Sequence, residues 1–212
     1  GAADGDVSLV EKLNMNYDSK PNLRTRLGAA QWILNAEARR DKEGRLRIYR
    51  LPKGDGGGSY EVAGLNDRYH PQEAEHAAAL IRKGEHAKAE EYVRDVIAQY
   101  TDPAERWAWE SHAIEFFLRD CVWNRGPRGA GKILQLSMGF QGDDVDGWVG
   151  RQTIDAMRPF FVGDQAEWVR KLREARFKYE MRIAPPVGDR AKFLKGLLNR
   201  FDAAEEAALS IV

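Results

Sequence analysis

The sequence feature that most constrains the fold is the stretch from Glu37 to Leu65, where an apolar helical pattern runs into an alternating, glycine-rich segment. Leu27, Ala30, Ile33 and Leu34 fall on one side of a helix, and Glu37 lies within the same apolar arc. A carboxyl group held there without a cationic partner loses hydration, so we expect its neutral form to be favoured. Such a group is suited to act as a general acid.

The residues after Glu37 predict a β-hairpin. Residues 45–50 alternate as a half-buried strand, residues 59–65 form its partner, and four of the five residues from Gly54 to Gly58 are glycine. Asp55 lies in the bend and Glu61 on the returning strand. Two carboxyl groups across a groove, about 6.5–9.5 Å apart in inverting glycosidases and about 5 Å in retaining ones, cleave glycosidic bonds. Glu37 with Glu61 or Asp55 is a candidate pair.

Each of these carboxylates also has an ordinary structural explanation. Glu37 could be a last-turn glutamate paired with an arginine, the candidates being Arg39, Arg40 and Arg119. Asp55 fits common bend chemistry, and Glu61 fits an exposed strand position. Phosphate binding by the glycine-rich bend is disfavoured, because no Gly-Lys-Ser/Thr ending or helix follows it.

Composition excludes several classes of function. The chain has 33 basic and 33 acidic residues, so no net charge attracts nucleic acid or anionic lipid. One cysteine permits no intrachain disulfide, and no histidine or cysteine spacing resembles a metal site, so we expect no metal and no cofactor. The aspartate-rich segment 143–146 lacks the calcium-loop pattern. We find no apolar run long enough to span a membrane and no signal peptide, so either the sequence is trimmed or another route delivers the protein.

The remaining pattern predicts a mainly α protein with one small β-hairpin. We interpret residues 1–25 as an N-terminal extension and residues 26–208 as a single domain. The first part of this domain, 26–110, contains the hairpin, and the second part, 111–208, contains the most apolar helix. We expect Cys121 to be a small core residue of that apolar helix. Periodicity and Gly/Pro breaks predict helices at about 71–83, 85–99, 104–122, 129–138, 163–184 and 190–208.

Three segments carry a resemblance to glycoside hydrolase family 108, lysozyme-like N-acetylmuramidases of phages and bacteria. They are Phe117 to Pro127 (FLRDCVWNRGP), Lys132 to Thr153 with its Leu-Gln and Val-Asp-Gly-x-x-Gly elements, and Phe193 to Arg200 (FLKGLLNR). The second resembles a part of the family often described as a peptidoglycan-binding module. The resemblance covers residues 27–201 and implies a lysozyme-like helical fold.

The N-terminal half departs from the family pattern. Family members show Glu-Gly-Gly-Tyr at the helix end, whereas this chain has Glu37-Ala-Arg-Arg followed by a longer insert. Glu37 corresponds to the family's catalytic acid. The partner position is occupied by Glu61 in one alignment and by Ser59 or Tyr60 in another. Glu43 is a rival acid, but Gly44 is expected to place it in a turn.

The resemblance implies a monomeric peptidoglycan hydrolase that cleaves the β-1,4 bond between N-acetylmuramic acid and N-acetylglucosamine at the cell wall, after release by a phage or a secretion system. Glu37 would be the acid, Glu61 or Asp55 its partner, and Ser59 and Tyr60 would hold water or sugar. Asn124 would bind an N-acetyl group or cap a helix, while Trp123 and Trp148 would stack on sugars or belong to the core. A non-catalytic wall-binding or secretion-accessory protein and a glycosidase acting on chitin or chitosan are the alternatives.

Overall fold

The computed structural model describes residues 19–52, 57–108, 110–161, 163–183 and 190–212. The predicted mainly α fold with a small antiparallel sheet is confirmed. The helices, in chain order, are α1 (Arg26–Glu37), α2 (Pro71–Arg82), α3 (His86–Thr101), α4 (Pro103–Trp107), α5 (His112–Ser137), α6 (Arg151–Phe161), α7 (Gln165–Ile183) and α8 (Arg190–Leu209). The strands are β1 (Tyr49–Arg50), β2 (Tyr60–Val62) and β3 (Leu65–Asn66), and residues Gly142–Asp144 form a 3-10 turn.

The described residues fall into two compact units. The first contains described residues between 19 and 22 and between 30 and 99, and the second contains residues 23–29 and described residues from 100 onwards. The sheet, α2 and most of α3, up to Gln99, lie in the first unit, whereas α4 to α8 lie in the second. Helix α1 is divided, with residues 26–29 in the second unit and 30–37 in the first. The expectation of one domain over 26–208 stays a prediction, as does an extension over residues 1–25, most of which lie outside the described residues.

The sheet of the first unit has one strand more than the predicted hairpin. β2 pairs with β1 and with β3, antiparallel in both cases. Ala63 and Gly64 connect β2 to β3 with φ values of 48° and 85°, the left-handed backbone of a tight hairpin turn. The predicted strand 59–65 therefore turns back on itself, because a two-residue turn in this conformation reverses the chain.

The predicted break between the next two helices is confirmed. α2 begins at Pro71, whose missing N–H costs nothing in the first turn, and ends at Arg82. Gly84 follows with φ of 76°, a conformation that side-chain-bearing residues rarely adopt, and α3 starts at His86. Small buried alanines, Ala74, Ala77 and Ala78, line the inner face of α2.

The second unit is built around α5. The predicted helix over 104–122 is wrong as one element, because Ser111 caps a new helix by accepting a hydrogen bond from the Ile114 amide at 3.3 Å. The predicted break at Gly126-Pro127 is present as a kink: Gly126 has φ 72° and ψ 168°, and helical structure continues beyond it to Ser137. The side chains of Phe116, Phe117 and Phe201 are fully buried in this unit.

The centre of the second unit also holds a buried charge. Asp120 of α5 is fully buried and accepts hydrogen bonds from Arg176 of α7 at 2.8 Å and from Arg200 of α8 at 2.5 Å. Burial alone would raise the pKa of Asp120, but the two guanidinium groups outweigh it and hold that pKa below its usual range. The neighbouring Cys121 is buried as predicted, and burial raises the pKa of its thiol to about 11, so it is a poor nucleophile.

Replacing Asp120 should strongly destabilise the second unit. Asp120→Asn leaves two arginines, Arg176 among them almost fully buried, without their carboxylate, which costs about 3–5 kcal/mol. The pKa of Asp120 is depressed in the folded state. The difference in the free energy of unfolding between wild type and variant is therefore fully present at neutral pH and shrinks as pH falls through that pKa. Urea unfolding at several pH values measures both effects.

The matched control for Asp120→Asn is Asp202→Asn. Asp202 pairs with Arg173 at 2.6 Å, but its side chain is 60% exposed. An exposed pair contributes about 1 kcal/mol or less. Equal effects of the two substitutions would contradict the central role of Asp120.

Candidate carboxylate site

Glu37 is the last residue of α1, as the sequence pattern predicted. Ala30, Ile33 and Leu34, on the same side of the helix, are completely buried, and Glu37 itself is half-buried. The Ala38 amide donates to the Leu34 carbonyl at 2.7 Å, which closes the last helical turn at this residue. The helix therefore presents a carboxyl group at the boundary between the core and solvent.

The two arginines after Glu37 have defined roles. The Arg39 guanidinium lies over the ring of Tyr49, 3.9 Å from its centroid. Arg40 pairs with both carboxylate oxygens of Glu90 on α3, at 2.7 and 2.9 Å, and donates to the Gly44 carbonyl at 2.9 Å. The chain that leaves Glu37 is thus held against the sheet by one arginine and against α3 by the other.

Glu61 occupies the middle of the central strand. Its cross-strand neighbours are Tyr49 on β1 and Asn66 on β3, so these three residues share one face of the sheet. The opposite face carries the fully buried Val62 and Leu65 and packs on α2. Glu61 is therefore on the same face as Tyr49. The Tyr49 ring is covered by Arg39, which follows Glu37 by two positions. This common face is the candidate site.

Tyr60 and Ser59 are placed differently from Glu61. The Tyr60 hydroxyl donates to a Glu75 carboxylate oxygen on α2 at 3.0 Å. Burial, followed by this bond to Glu75, raises the pKa of the Tyr60 phenol. Tyr60 alternates with Glu61 and so belongs to the α2 side of the sheet. Ser59 is exposed, and its amide donates to Asp67 at 2.7 Å.

The predicted Asp55 lies outside the described residues, but two glycines of the same bend have a clear role. A Cβ on Gly58 would come within 2.3 Å of the Asn66 side chain, and one on Gly57 within 2.0 Å of the Arg68 guanidinium. The Gly57 backbone also has a φ of 81°. Glycine at these positions lets the side chains of Asn66 and Arg68 pack directly against the backbone of Gly58 and Gly57.

The rival acid Glu43 lies in a turn, as predicted. Its side chain is 53% exposed and pairs with Arg45 at 3.2 Å, and Gly44 beside it has a φ of 80°. Asp41 holds this turn by accepting the amides of Glu43 and Arg45 at 3.0 and 2.9 Å. Burial would raise the pKa of Asp41, but the hydrogen bonds from Arg45 hold it below its usual range. The turn is therefore a self-contained structural element.

Trp123 and Asn124 belong to the second unit. Trp123 is half-buried and meets the Tyr100 ring edge to face, with centroids 5.5 Å apart. Asn124 lies two residues before the kink at Gly126, in the last turn of the first helical part of α5. Its side-chain oxygen is buried and accepts no hydrogen bond from the described residues.

Sequence reasoning missed the buried polar network beside Glu37. Gln31 and Glu90 are buried, and the Gln31 amide donates to Glu90 at 3.1 Å and to Asn35 at 2.9 Å. Charges along a helix are usually solvated, but Glu90 is an exception. The available signal was its helical spacing, since Glu90 lies beside the buried Ala89 and on the side of Val93 and Ile97.

Metal-binding side-chain clusters and membrane-spanning helices are both absent from the described ranges. These residues contain no group of three or more histidine, cysteine or carboxylate side chains arranged to hold a metal ion. In the parts of the chain that the structure describes, every helix is too short or too polar to cross a bilayer.

The fold is similar to that of a solved structure, SagA from Brucella abortus. The two chains superpose with a TM-score of 0.58 and 18% sequence identity, over 88% of this chain and 94% of SagA. At this identity the likeness shows the fold alone. No protein-family model matches this chain, and no curated protein matches it either. Membership of glycoside hydrolase family 108 therefore stays a prediction from the motifs.

The geometry predicts an unusually acidic Asp67. Its carboxylate accepts amides from Ser59 at 2.7 Å and from Tyr60 at 3.3 Å, and the bond from Ser59 holds the pKa of Asp67 below its usual range. A carboxyl ¹³C titration by NMR should therefore place Asp67 below a model aspartate. The chemical shift of the Ser59 amide proton should change with the same midpoint pH. In the Asp67→Asn variant this chemical shift should stay constant over the same pH range. An unchanged Ser59 signal in the wild type would contradict the assignment.

The Arg40–Glu90 pair should stabilise the backbone next to Glu37. Arg40→Met leaves the Glu90 carboxylate, only 6% exposed, without its guanidinium, and should cost about 3–5 kcal/mol in urea unfolding. The double variant Arg40→Met/Glu90→Leu removes both charges and should recover most of that loss. Lys88→Met, which breaks an exposed pair with Glu85, is the control and should cost about 1 kcal/mol or less.

Proposed function

We propose that this protein is a peptidoglycan hydrolase of the N-acetylmuramidase type, with Glu37 as the general acid. The proposal is carried by two observations: Glu37 ends a helix whose inner face is buried, and Arg39, two residues later, lies over Tyr49, the cross-strand neighbour of Glu61. Both carboxyl groups are half-buried and belong to the same unit. A glycosidase needs one carboxyl group as acid and a second as base or nucleophile.

The proposed chemistry divides between the two carboxyl groups. The protonated Glu37 would donate its proton to the glycosidic oxygen as the bond to the anomeric carbon breaks. Glu61 would orient a water molecule for attack and accept its proton, or stabilise the positive charge that develops on the sugar. Asp55 is the competing candidate for this second role. Exchange with solvent returns both groups to their starting states.

The surroundings of Glu37 support its role. The Arg40–Glu90 pair and the Arg39–Tyr49 contact hold the chain on the C-terminal side of Glu37, and the buried side chains of Ile33 and Leu34 hold the helix before it. A carboxyl group on a rigid helix end keeps one geometry toward a substrate, which acid catalysis requires. Tyr60, engaged with Glu75, would support the sheet instead of contacting the sugar.

The substrate class comes from the sequence resemblance and is consistent with the fold. The three motif segments shared with glycoside hydrolase family 108 span residues from Phe117 to Arg200, and SagA has a similar fold over most of both chains. We therefore propose that this protein acts at the cell wall, on the bond between N-acetylmuramic acid and N-acetylglucosamine, as a monomer.

Glu37→Gln should abolish hydrolysis of purified peptidoglycan. Glutamine keeps the shape of the side chain but donates no proton, and loss of a general acid lowers the rate by about 10²- to 10⁴-fold. Loss of turbidity and release of reducing ends measure the rate. Glu43→Gln is the matched control, because Glu43 is an exposed turn residue, and it should keep full activity.

The same assay assigns the second carboxylate and the substrate. If Glu61 is the partner, Glu61→Gln should lose activity to a similar degree while Asp55→Asn retains it; the reverse would favour Asp55. Mass analysis should find muramic acid at the reducing ends of the released fragments. Cleavage of chitin or chitosan in its place would identify a related glycosidase. Binding of the wall without lysis by the wild type would support the non-catalytic alternative.

A further inference from the structure

A second candidate site lies entirely within the second unit. A cleft of about 420 Å³ is walled by Trp107, Trp148, Pro103 and Pro127, with Arg106 and Arg128 at its rim. Trp107 is 7% exposed and forms the inner wall, whereas Trp148 is 68% exposed and forms the outer one. Together the two indoles and the two prolines form an apolar cleft with charged groups at its edge, which is the usual composition of a ligand site.

The loop that carries Trp148 is rigidly attached to α5. The buried Gln135 side chain accepts the Gly147 amide at 2.8 Å and donates to the Asp146 carboxylate at 3.0 Å and to the Trp148 carbonyl at 3.1 Å. The hydrogen bond from Gln135 holds the pKa of Asp146 below its usual range, so this acceptor stays ionised at neutral pH. The backbone at Trp148 is therefore held in place before any ligand binds.

Close backbone packing supports the same conclusion. A Cβ on Gly147 would lie 2.4 Å from the Arg128 carbonyl oxygen, and Gly147 has a φ of 81°. On the helix side, a Cβ on Gly131 would lie 2.2 Å from the Gly147 carbonyl oxygen. Any larger residue at either position would push the loop off α5. The cleft wall is thus preorganised, which lowers the entropic cost of binding.

The rim of the cleft is positively charged. The Arg128 guanidinium lies 5.5 Å from the Trp148 ring centroid, and its Nε donates to the Asp146 carbonyl at 3.1 Å. Arg106 is exposed and forms no ion pair among the described residues, whereas Arg128 also interacts electrostatically with the Asp146 carboxylate. Two guanidinium groups beside an apolar cleft are complementary to a ligand that joins an apolar group to an anion.

We propose that this cleft binds the carboxyl-terminal end of a short peptide with a small apolar last residue. Arg106 and Arg128 bind its carboxylate, and its methyl-bearing side chain lies between Trp107 and Trp148. The apolar walls match a methyl-bearing side chain, and the two guanidinium groups match a carboxylate, which a neutral sugar lacks. This binding needs neither a glycan nor Glu37, so it goes beyond the proposed hydrolysis.

An NMR titration of the full chain with N-acetyl-alanyl-alanine at neutral pH tests the proposal. The indole N–H signals of Trp107 and Trp148 should shift, and the C-terminal amide of the same peptide should bind about tenfold more weakly or worse, because charged hydrogen bonds are lost. The Glu37→Gln variant should bind the peptide as the wild type does. A loss of lysis without loss of peptide binding separates this cleft from the carboxylate site.

Substitutions show which residues bind the carboxylate of the peptide and which bind its apolar side chain. Arg106→Gln removes a charge with no ion pair among the described residues and should weaken binding of the peptide but not of its amide. Trp148→Ala should weaken both. Arg170→Gln, at an exposed position of α7 away from the cleft, should change neither. Equal binding of peptide and amide, or indole shifts with neutral chitotriose but not with the peptide, would overturn the proposal.

Discussion

The second unit depends on one buried carboxylate. Asp120 connects α5 to α7 through Arg176 and to α8 through Arg200. Burying these charges is costly, and only the two ion pairs offset that cost. Arg176 also lies over the Phe201 ring, 4.2 Å from its centroid, so the ion pairs and the aromatic core require the same helix positions. An arrangement that separated these residues would leave a charge unpaired in the core and is therefore disfavoured.

The first unit also contains a buried ion pair, close in sequence to the proposed catalytic acid. Arg40 and Glu90 form a two-bond ion pair that is largely shielded from solvent, and Gln31 adds a third partner. This network holds the chain where α1 ends, and the sheet then places Glu61 on the face shared with Tyr49. The chemistry assigned to Glu37 is therefore supported by groups that take no part in proton transfer themselves.

The cleft near Trp148 shows how a structural motif can also create a binding surface. Gln135, Asp146 and Gly147 lie in the segment resembling the family's Leu-Gln and Val-Asp-Gly elements, and in the structure they fasten a loop to α5. These hydrogen bonds give the residues of the motif a structural role that involves no ligand. Trp148, which the motif does not specify, is the residue that this scaffold presents to solvent.

The sequence by itself determined the element types and most of their boundaries, because Gly84, Gly126-Pro127 and the apolar spacings act locally. It also placed Glu37 at a helix end and Glu43 in a turn. Only the tertiary structure decided which charges are buried, since Glu90 and Asp120 find their partners 50 to 80 positions away. It also decided which face of the sheet bears Glu61, because that depends on strand register and on the helix that covers the other side.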